Sequence, residues 1–391
     1  MTRRVPSPGR PRGRPGVLAA VALIAAAGII LFGLDPQTTA VSPRSSPRPP
    51  ASPSSPAVAP ALAALLRQGT PATAPGYWMQ PSAALVAAAA GAEDARFRAL
   101  GALLVKDGFA GAIIDLGREM TAGWYNWSER KCPRAEPPCY ALAWRHAVDA
   151  MRSVPGQHFR FLWTAYPGAA AAIDAWPGAA YVDLVGTDVY DWYGGPHSTY
   201  PHTASGQLDH DAWWRQVLTQ PGGLDWLAQL SRLTGKEAAI PEWGLDFHSF
   251  GGQDDPAFIT RMLAWMHANH AIGIYWAFQH VAPEPAVPPG PLLPNQGAYA
   301  GGPPGVNGLG LLLGGRLQYA EAFLPDQQPI SDSSAQPVLA AWPQTGYQLI
   351  LGVPLVPLTV PTYNGPPEPG PQPYQLANYP DALAAFRQGV R

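Results

Sequence analysis

Two stretches of the chain place a carboxylic acid at the end of a buried strand and surround it with glycine and aromatic side chains. Ala112 to Trp127 (AIIDLGREMTAGWYNW) opens as an apolar run and ends in Arg118, Glu119, Trp124, Tyr125 and Trp127. Lys236 to Leu245 (KEAAIPEWGL) closes on Glu242, followed by Trp243 and Gly244. Aromatic rings cover the apolar faces of pyranoses, and an acid beside them can protonate a glycosidic oxygen. A second carboxylate from another strand end can then attack the anomeric carbon. Retaining glycosidases hold such a pair roughly 5–5.5 Å apart. Glu119 and Glu242 are therefore the candidate catalytic residues.

Positioning them requires a frame, and the pattern supplies one. Helix-like segments at Glu93 to Gly108, Leu142 to Val154, Leu224 to Gly235 and Asp255 to His270 each lead into a strand-like run. Those runs are the opening stretch, HFRFLWTAY, KEAAIPEWGL and AIGIYWAFQH, with YVDLVGTDVYDWYG between the second and third. Alternation of helix and buried strand means a parallel sheet with helices outside. GVNGLGLLLGG lacks the spacing of a phosphate loop, and no GxxxxGK occurs, so a nucleotide site is not expected. Polar and aromatic residues recur at strand ends, where barrel enzymes keep their sites. The expected fold is an α/β (β/α)8 TIM barrel.

GREMTAGWYNW, FRFLWTAYPG, YVDLVGTDVYDW, KEAAIPEWGL and DDPAFITRMLAW together resemble successive motifs of glycoside hydrolase family 26, typified by endo-β-mannanases of clan A. The resemblance implies a retaining (β/α)8-barrel hydrolase acting on a β-linked polysaccharide, with mannan or mixed β-glucan as substrate. It makes Glu119, at the end of the family's fourth strand, the acid/base and Glu242, at the end of the seventh, the nucleophile. Tyr190 takes the place of the tyrosine that orients the nucleophile. Trp276 matches the aromatic of the eighth strand and Trp124 a sugar-stacking ring. Trp127, Trp163, Asp188, Trp192, Trp243 and Arg118 complete the expected substrate-binding set. The chain departs from the family in having Arg118 where a histidine precedes the acid, Asp115 where relatives carry arginine, and Trp163-Thr164 where they carry Trp-Asn. An arginine paired with Glu119 would lower its pKa, the wrong direction for a general acid. These departures support an alternative: a carbohydrate-binding barrel of weak activity, serving exopolysaccharide assembly or envelope attachment.

The motifs account for strands four to eight, and too little chain precedes them for three more. GAYAGG, RLQYAEAF and YQLILGVPLVPL, far downstream, resemble the family's first three strands, and YPDALAAFRQGVR its terminal helix. The expectation is one rearranged barrel, strands four to eight first and one to three after. The rival, a broken tandem, would leave exposed strand edges.

A net charge of −2 with 13% charged residues gives no footprint for nucleic acid. Neither cofactor nor metal is expected. Residues 1–34 begin with arginines and continue as an apolar run, the pattern of a signal peptide or membrane anchor, which makes a membrane the second partner and the location extracytoplasmic. Residues 35–60 are a Pro/Ser-rich linker and 61–391 the barrel. In an exported chain, Cys132 and Cys139 are expected to form a local disulfide. His197, His202, His210 and Asp211 fall in a Gly/Pro/Ser-rich insertion; their spacing fits no helical ligand pair, and the expectation is a solvated loop.

Overall fold

The structure, a computed structural model, describes residues 60–66, 80–133, 138–168, 173–191, 200–246, 251–277, 281–326, 331–358 and 376–390. The expected leader and most of the linker lie outside these residues. Among the described residues no helix is long and apolar enough to cross a membrane.

Helices α1 (Pro60–Leu66), α2 (Ala83–Ala89) and α3 (Asp94–Lys106) precede strand β1 (Ile113–Leu116). Then follow α4 (Cys139–Arg152), β2 (Arg160–Ala165), β3 (Leu184–Thr187), β4 (Val189–Asp191), α5 (His210–Thr219), α6 (Leu224–Thr234), β5 (Glu237–Leu245), α7 (Pro256–Asn269) and β6 (Ile272–Trp276). The remainder supplies β7 (Leu292–Tyr299), α8 (Pro303–Leu313), β8 (Arg316–Phe323), α9 (Asp332–Leu339), β9 (Gln348–Val353) and α10 (Pro380–Gly389).

Every strand pairing is parallel. β1 pairs with β2 and β2 with β3. β3 and β4, two pieces of one broken strand, both pair with β5. The series runs on through β6, β7, β8 and β9, and β9 returns to β1. The result is a closed eight-stranded (β/α)8 barrel. Among the described strands, closure leaves no free edge.

Side chains alternate between the two faces of each strand. Ile113, Leu162, Leu184, Ala239, Ile272, Ile274, Tyr319 and Ile350 form an inner cluster that fills the barrel. The much larger outer cluster lies between barrel and helices and includes Ile114, Trp163, Val185, Ile240, Trp243 and Tyr275. α10 supplies part of this outer layer: Phe386 packs its ring 5.4 Å from Trp243 and 5.0 Å from Tyr275. The C-terminal helix thus covers β5 and β6.

One strand begins earlier than its sequence suggests. The glycine-rich GAYAGG is only the end of β7, which starts at Leu292 within a Pro-rich connector. Its register shifts between Leu293 and Gly297, and Asn295 there has a left-handed φ of 58°. Such a bulge lets Pro294 stand inside a strand without breaking the ladder.

Candidate active site

β1 delivers the first glutamate through a sharp turn. Gly117 and Glu119 have left-handed φ values of 53° and 50°, a conformation that costs a non-glycine residue of order 1–3 kcal/mol. Neighbouring groups hold the turn. The Trp127 indole N–H donates to the Arg118 carbonyl at 2.8 Å, Met120 N–H to the Thr164 carbonyl at 3.2 Å, and the Ser128 hydroxyl to the Met120 carbonyl at 3.0 Å. Glu119 ends up 8% exposed, hydrogen-bonded with Tyr125 and Asp188.

β5 delivers the second through a bulge. Ala239 lies in the inner cluster, yet Ile240 and Trp243, three residues apart, both lie in the outer one. Strict alternation forbids that, and the register of β5 on β6 slips between those two residues. The slip turns Glu242 into the mouth of the barrel and Trp243 out of it. The Tyr190 hydroxyl donates to Glu242 Oε2 at 2.8 Å, and the Glu242 amide donates to Asp188 Oδ1 at 3.1 Å.

Arg118 stands 3.8 Å from Glu242 Oε1, an ion pair too long for a hydrogen bond. Its guanidinium lies 4.3 Å from the Phe323 ring and 5.5 Å from that of Tyr125. Burial alone would lower its pKa, but Tyr125, Glu242, Glu119 and Asp115 outweigh it and keep the side chain cationic. Beneath lie Asp115, which accepts a 2.9 Å hydrogen bond from Thr164, and Glu321, fully buried with neither oxygen partnered among the described residues.

Five carboxyl groups around one arginine cannot all ionise. Burial pushes Glu242 up to about 7, the charge of Glu119 adds to this, and Arg118 and the Tyr190 hydrogen bond oppose it. Burial also pushes Asp115 to about 7 and raises Glu119 against the pull of Arg118, Tyr125 and Asp188. Asp188 and Glu321 are held far above the carboxylate range by burial and by the charge of Glu242. Asp188 Oδ2 is buried with no donor among the described residues, which disfavours its anion.

The expected binding residues divide. Trp124 is 42% exposed at the rim, edge-on to Tyr166 with centroids 4.9 Å apart. Trp276 is half-buried at the mouth among Tyr299, Phe323 and Tyr190. Three tryptophans are not where a sugar could reach them. Trp163 is fully buried against Trp176, centroids 5.0 Å apart, and Trp243 is fully buried against Tyr275. Trp127 is fully buried beneath Tyr125, stacked at 4.4 Å. The first two are outward-facing strand residues and the third is a brace for the Arg118 turn. Trp192 and His197 lie outside the described residues.

Glu321, Tyr166 and Phe323 are the site residues that motif reading misses. Alternation along RLQYAEAF was the available signal for two of them, since it puts Tyr319, Glu321 and Phe323 on one face. The disulfide is as expected: Cys132 and Cys139 are bonded, with Cα atoms 5.5 Å apart.

Fold and site together define a (β/α)8 barrel with a pair of buried glutamates at the C-terminal mouth. Residues 111–202 match the model of glycosyl hydrolase family 26. That match falls on the stretch that carries the first three of the motifs read from the sequence, and it agrees with the resemblance to the family there. Among solved structures it is similar to a GH26 β-mannanase from Bacteroides ovatus at 17% identity, covering 42% of each chain with a TM-score of 0.31. It is also similar to an endo-β-1,4-mannanase double mutant from Cellulomonas fimi at 22% identity, covering 42% of this chain and 35% of that one, TM-score 0.31. A third is the catalytic domain of a GH26 endo-β-1,4-mannanase from a Bacillus species, at 19% identity, 42% and 41% coverage and TM-score 0.31. The chain spans less than half the length of each of these structures. No curated protein matched it.

Proposed function

We propose that this protein is a retaining endo-glycoside hydrolase that cleaves a β-linked polysaccharide, with mannan or mixed β-glucan as the substrate class. Glu119 protonates the leaving glycosidic oxygen while Glu242 attacks the anomeric carbon. Glu119, now a base, takes a proton from water as that water releases the sugar from Glu242. Trp124 and Trp276 offer rings for stacking on pyranose faces.

The observation that carries this reading is a pair of buried glutamates at two strand ends, one of which, Glu242, is held by a tyrosine hydroxyl. Glu242 receives the Tyr190 hydroxyl and has Arg118 beside it, both of which favour its anion. Burial raises the pKa of both glutamates, and Arg118, Tyr125 and Asp188 oppose it at Glu119. The tyrosine that holds Glu242 favours it as the nucleophile and leaves Glu119 as the acid/base. The Arg118 guanidinium stands 3.8 Å from Glu242 Oε1, so the arginine that replaces the family histidine supports the nucleophile.

The strand order is read as a permutation of the family's. It is supported by the pairing of β6 with β7 and of β9 with β1, which joins the two halves into one ring. Export and tethering are read from the arginine-rich start and apolar run of residues 1–34.

The test is reducing-sugar release from mannan, glucomannan, lichenan and xylan, with Glu119→Gln and Glu242→Gln alongside. Release from one polymer, lost in both variants, is expected. No release by a cooperatively melting protein overturns the hydrolase reading for these polymers and leaves a carbohydrate-binding barrel.

A further inference from the structure

A second group of ionisable side chains gathers behind the cleft, on the outer side of the strand that carries Tyr190. Asp191 follows Tyr190 on β4, and alternation turns it away from the barrel mouth. It is fully buried. Its Oδ1 accepts a 2.7 Å hydrogen bond from the Tyr200 hydroxyl, whereas its Oδ2 is buried with no partner among the described residues. Gly252 is what leaves room beside that oxygen, since a Cβ there would stand 1.8 Å from it.

Two other elements converge on the same place. Asp255, 3% exposed, caps α7: its Oδ1 accepts the Phe258 amide at 2.9 Å, and its Oδ2 is left facing Nδ1 of His210 at 2.7 Å. His210 is the first residue of α5, and its side chain is 32% exposed, so one edge of the group reaches solvent. One ligand atom from each of Asp191, His210 and Asp255 lies within 4.8 Å of the others. Two buried carboxylates repel, and a single, partly exposed imidazole is a weak counter-charge for both. Burial and the charge of Asp255 both push the Asp191 carboxyl well up.

We propose that Asp191, His210 and Asp255 form a divalent transition-metal site that ties β4 to the first turns of α5 and α7. An imidazole nitrogen with two carboxylate oxygens suits zinc and its neighbours, whereas magnesium and calcium take oxygen ligands throughout. Ligand atoms around four-coordinate zinc stand about 3.4 Å apart, given bonds of roughly 2.0–2.2 Å. The His210–Asp255 contact would open slightly and Asp191 would close in. His210 would hold the ion through an unprotonated Nδ1, with the ring proton on Nε2. The Tyr200 hydroxyl, 3.3 Å from the same nitrogen, stays to orient Asp191. Spacing along the sequence conceals the site because its ligands come from three elements. Asp211, next to His210, is no part of it and pairs with Arg261.

Calorimetric titration of the chelator-treated full chain with zinc chloride tests this, with elemental analysis after dialysis and with calcium and magnesium chloride as comparisons. One zinc per chain, bound at least 10-fold tighter than either alkaline-earth ion, is expected, with a rise in melting temperature. Asp191→Asn and His210→Gln should each weaken zinc at least 10-fold, whereas Glu119→Gln should bind it as the parent does. His210→Gln changes a partly exposed helix-start residue, so it remains informative if Asp191→Asn does not fold. Absence of zinc binding, or unchanged affinity in a folded His210→Gln variant, overturns the proposal.

Discussion

The Tyr190 hydroxyl donates a 2.8 Å hydrogen bond to Oε2 of Glu242, and the two residues reach each other from separate strands, β4 and β5. A hydrogen bond to a carboxylate contributes roughly 1.5–3 kcal/mol, and it favours the ionised form that attacks. Tyr190→Phe should therefore lower kcat by about 10- to 100-fold, at 1.4 kcal/mol per tenfold, with little change in KM. Because the lost bond had lowered the Glu242 pKa from where burial puts it, the acid limb of the pH profile should move upward from about 7. An unmoved limb would mean that Tyr190 does not act through Glu242.

Arg118 acts on the same carboxylate by charge. Replacing it with methionine removes the cation 3.8 Å from Glu242 Oε1 while keeping an apolar stem against Phe323. The acid limb should again rise, because an anion without its cation holds a proton more tightly. Arg118→Lys should recover part of the shift, since it restores charge without the planar stack on Phe323. Kinetics from pH 5 to 9 would separate this from a general loss of folding.

The buried acids give a signed pH dependence of stability. Folding raises Glu242 and Asp115 to about 7, and Asp188 and Glu321 further, chiefly through burial. Raised carboxyls bind more protons in the folded chain than in the unfolded one. Their contribution is complete below the ordinary carboxylate range, about 4, and is lost as pH rises through 7 and beyond. Melting temperature should fall across that window. Glu321→Gln, which cannot ionise, should flatten the fall, and an unchanged slope would show that Glu321 is not held neutral.

Tryptophans that look alike in the sequence should behave oppositely. Trp243→Ala removes a fully buried ring from the outer core and should cost about 3–5 kcal/mol of stability. Trp124→Ala removes a rim side chain that is 42% exposed and should leave the melting temperature nearly unchanged while raising KM for polymer. Thermal melts and steady-state kinetics on both variants decide this.

These tryptophans also show what the sequence could and could not convey. Helix–strand alternation, the closed barrel, the downstream strands and the Cys132–Cys139 bond were all legible, because periodicity and local spacing encode them. Glu242 and Trp243 were both assigned to the cleft, although consecutive strand residues face opposite sides; one of the two had to be core. Trp163 and Thr164 present the same choice, and Thr164, which donates to the inward Asp115, is the inner one. Which member of the Glu242–Trp243 pair points inward depends on the bulge between Ile240 and Trp243, which is a property of the β5–β6 pairing. The start of β7 was hidden because Pro294 argues against a strand until a bulge accommodates it. The Asp191, His210 and Asp255 group was invisible because nothing local joins its members.

In the proposed mechanism Glu242 forms a glycosyl-enzyme that Glu119 helps to release. The most direct measurement is intact-protein and peptide mass spectrometry after treatment with a 2-deoxy-2-fluoro-β-mannobioside bearing a dinitrophenolate leaving group. A mass gain of one fluorinated disaccharide is expected, located on the peptide that contains Glu242 and absent from Glu242→Gln. A folded, polymer-cleaving protein that takes up no label, or takes it up on the peptide containing Glu119, would contradict it.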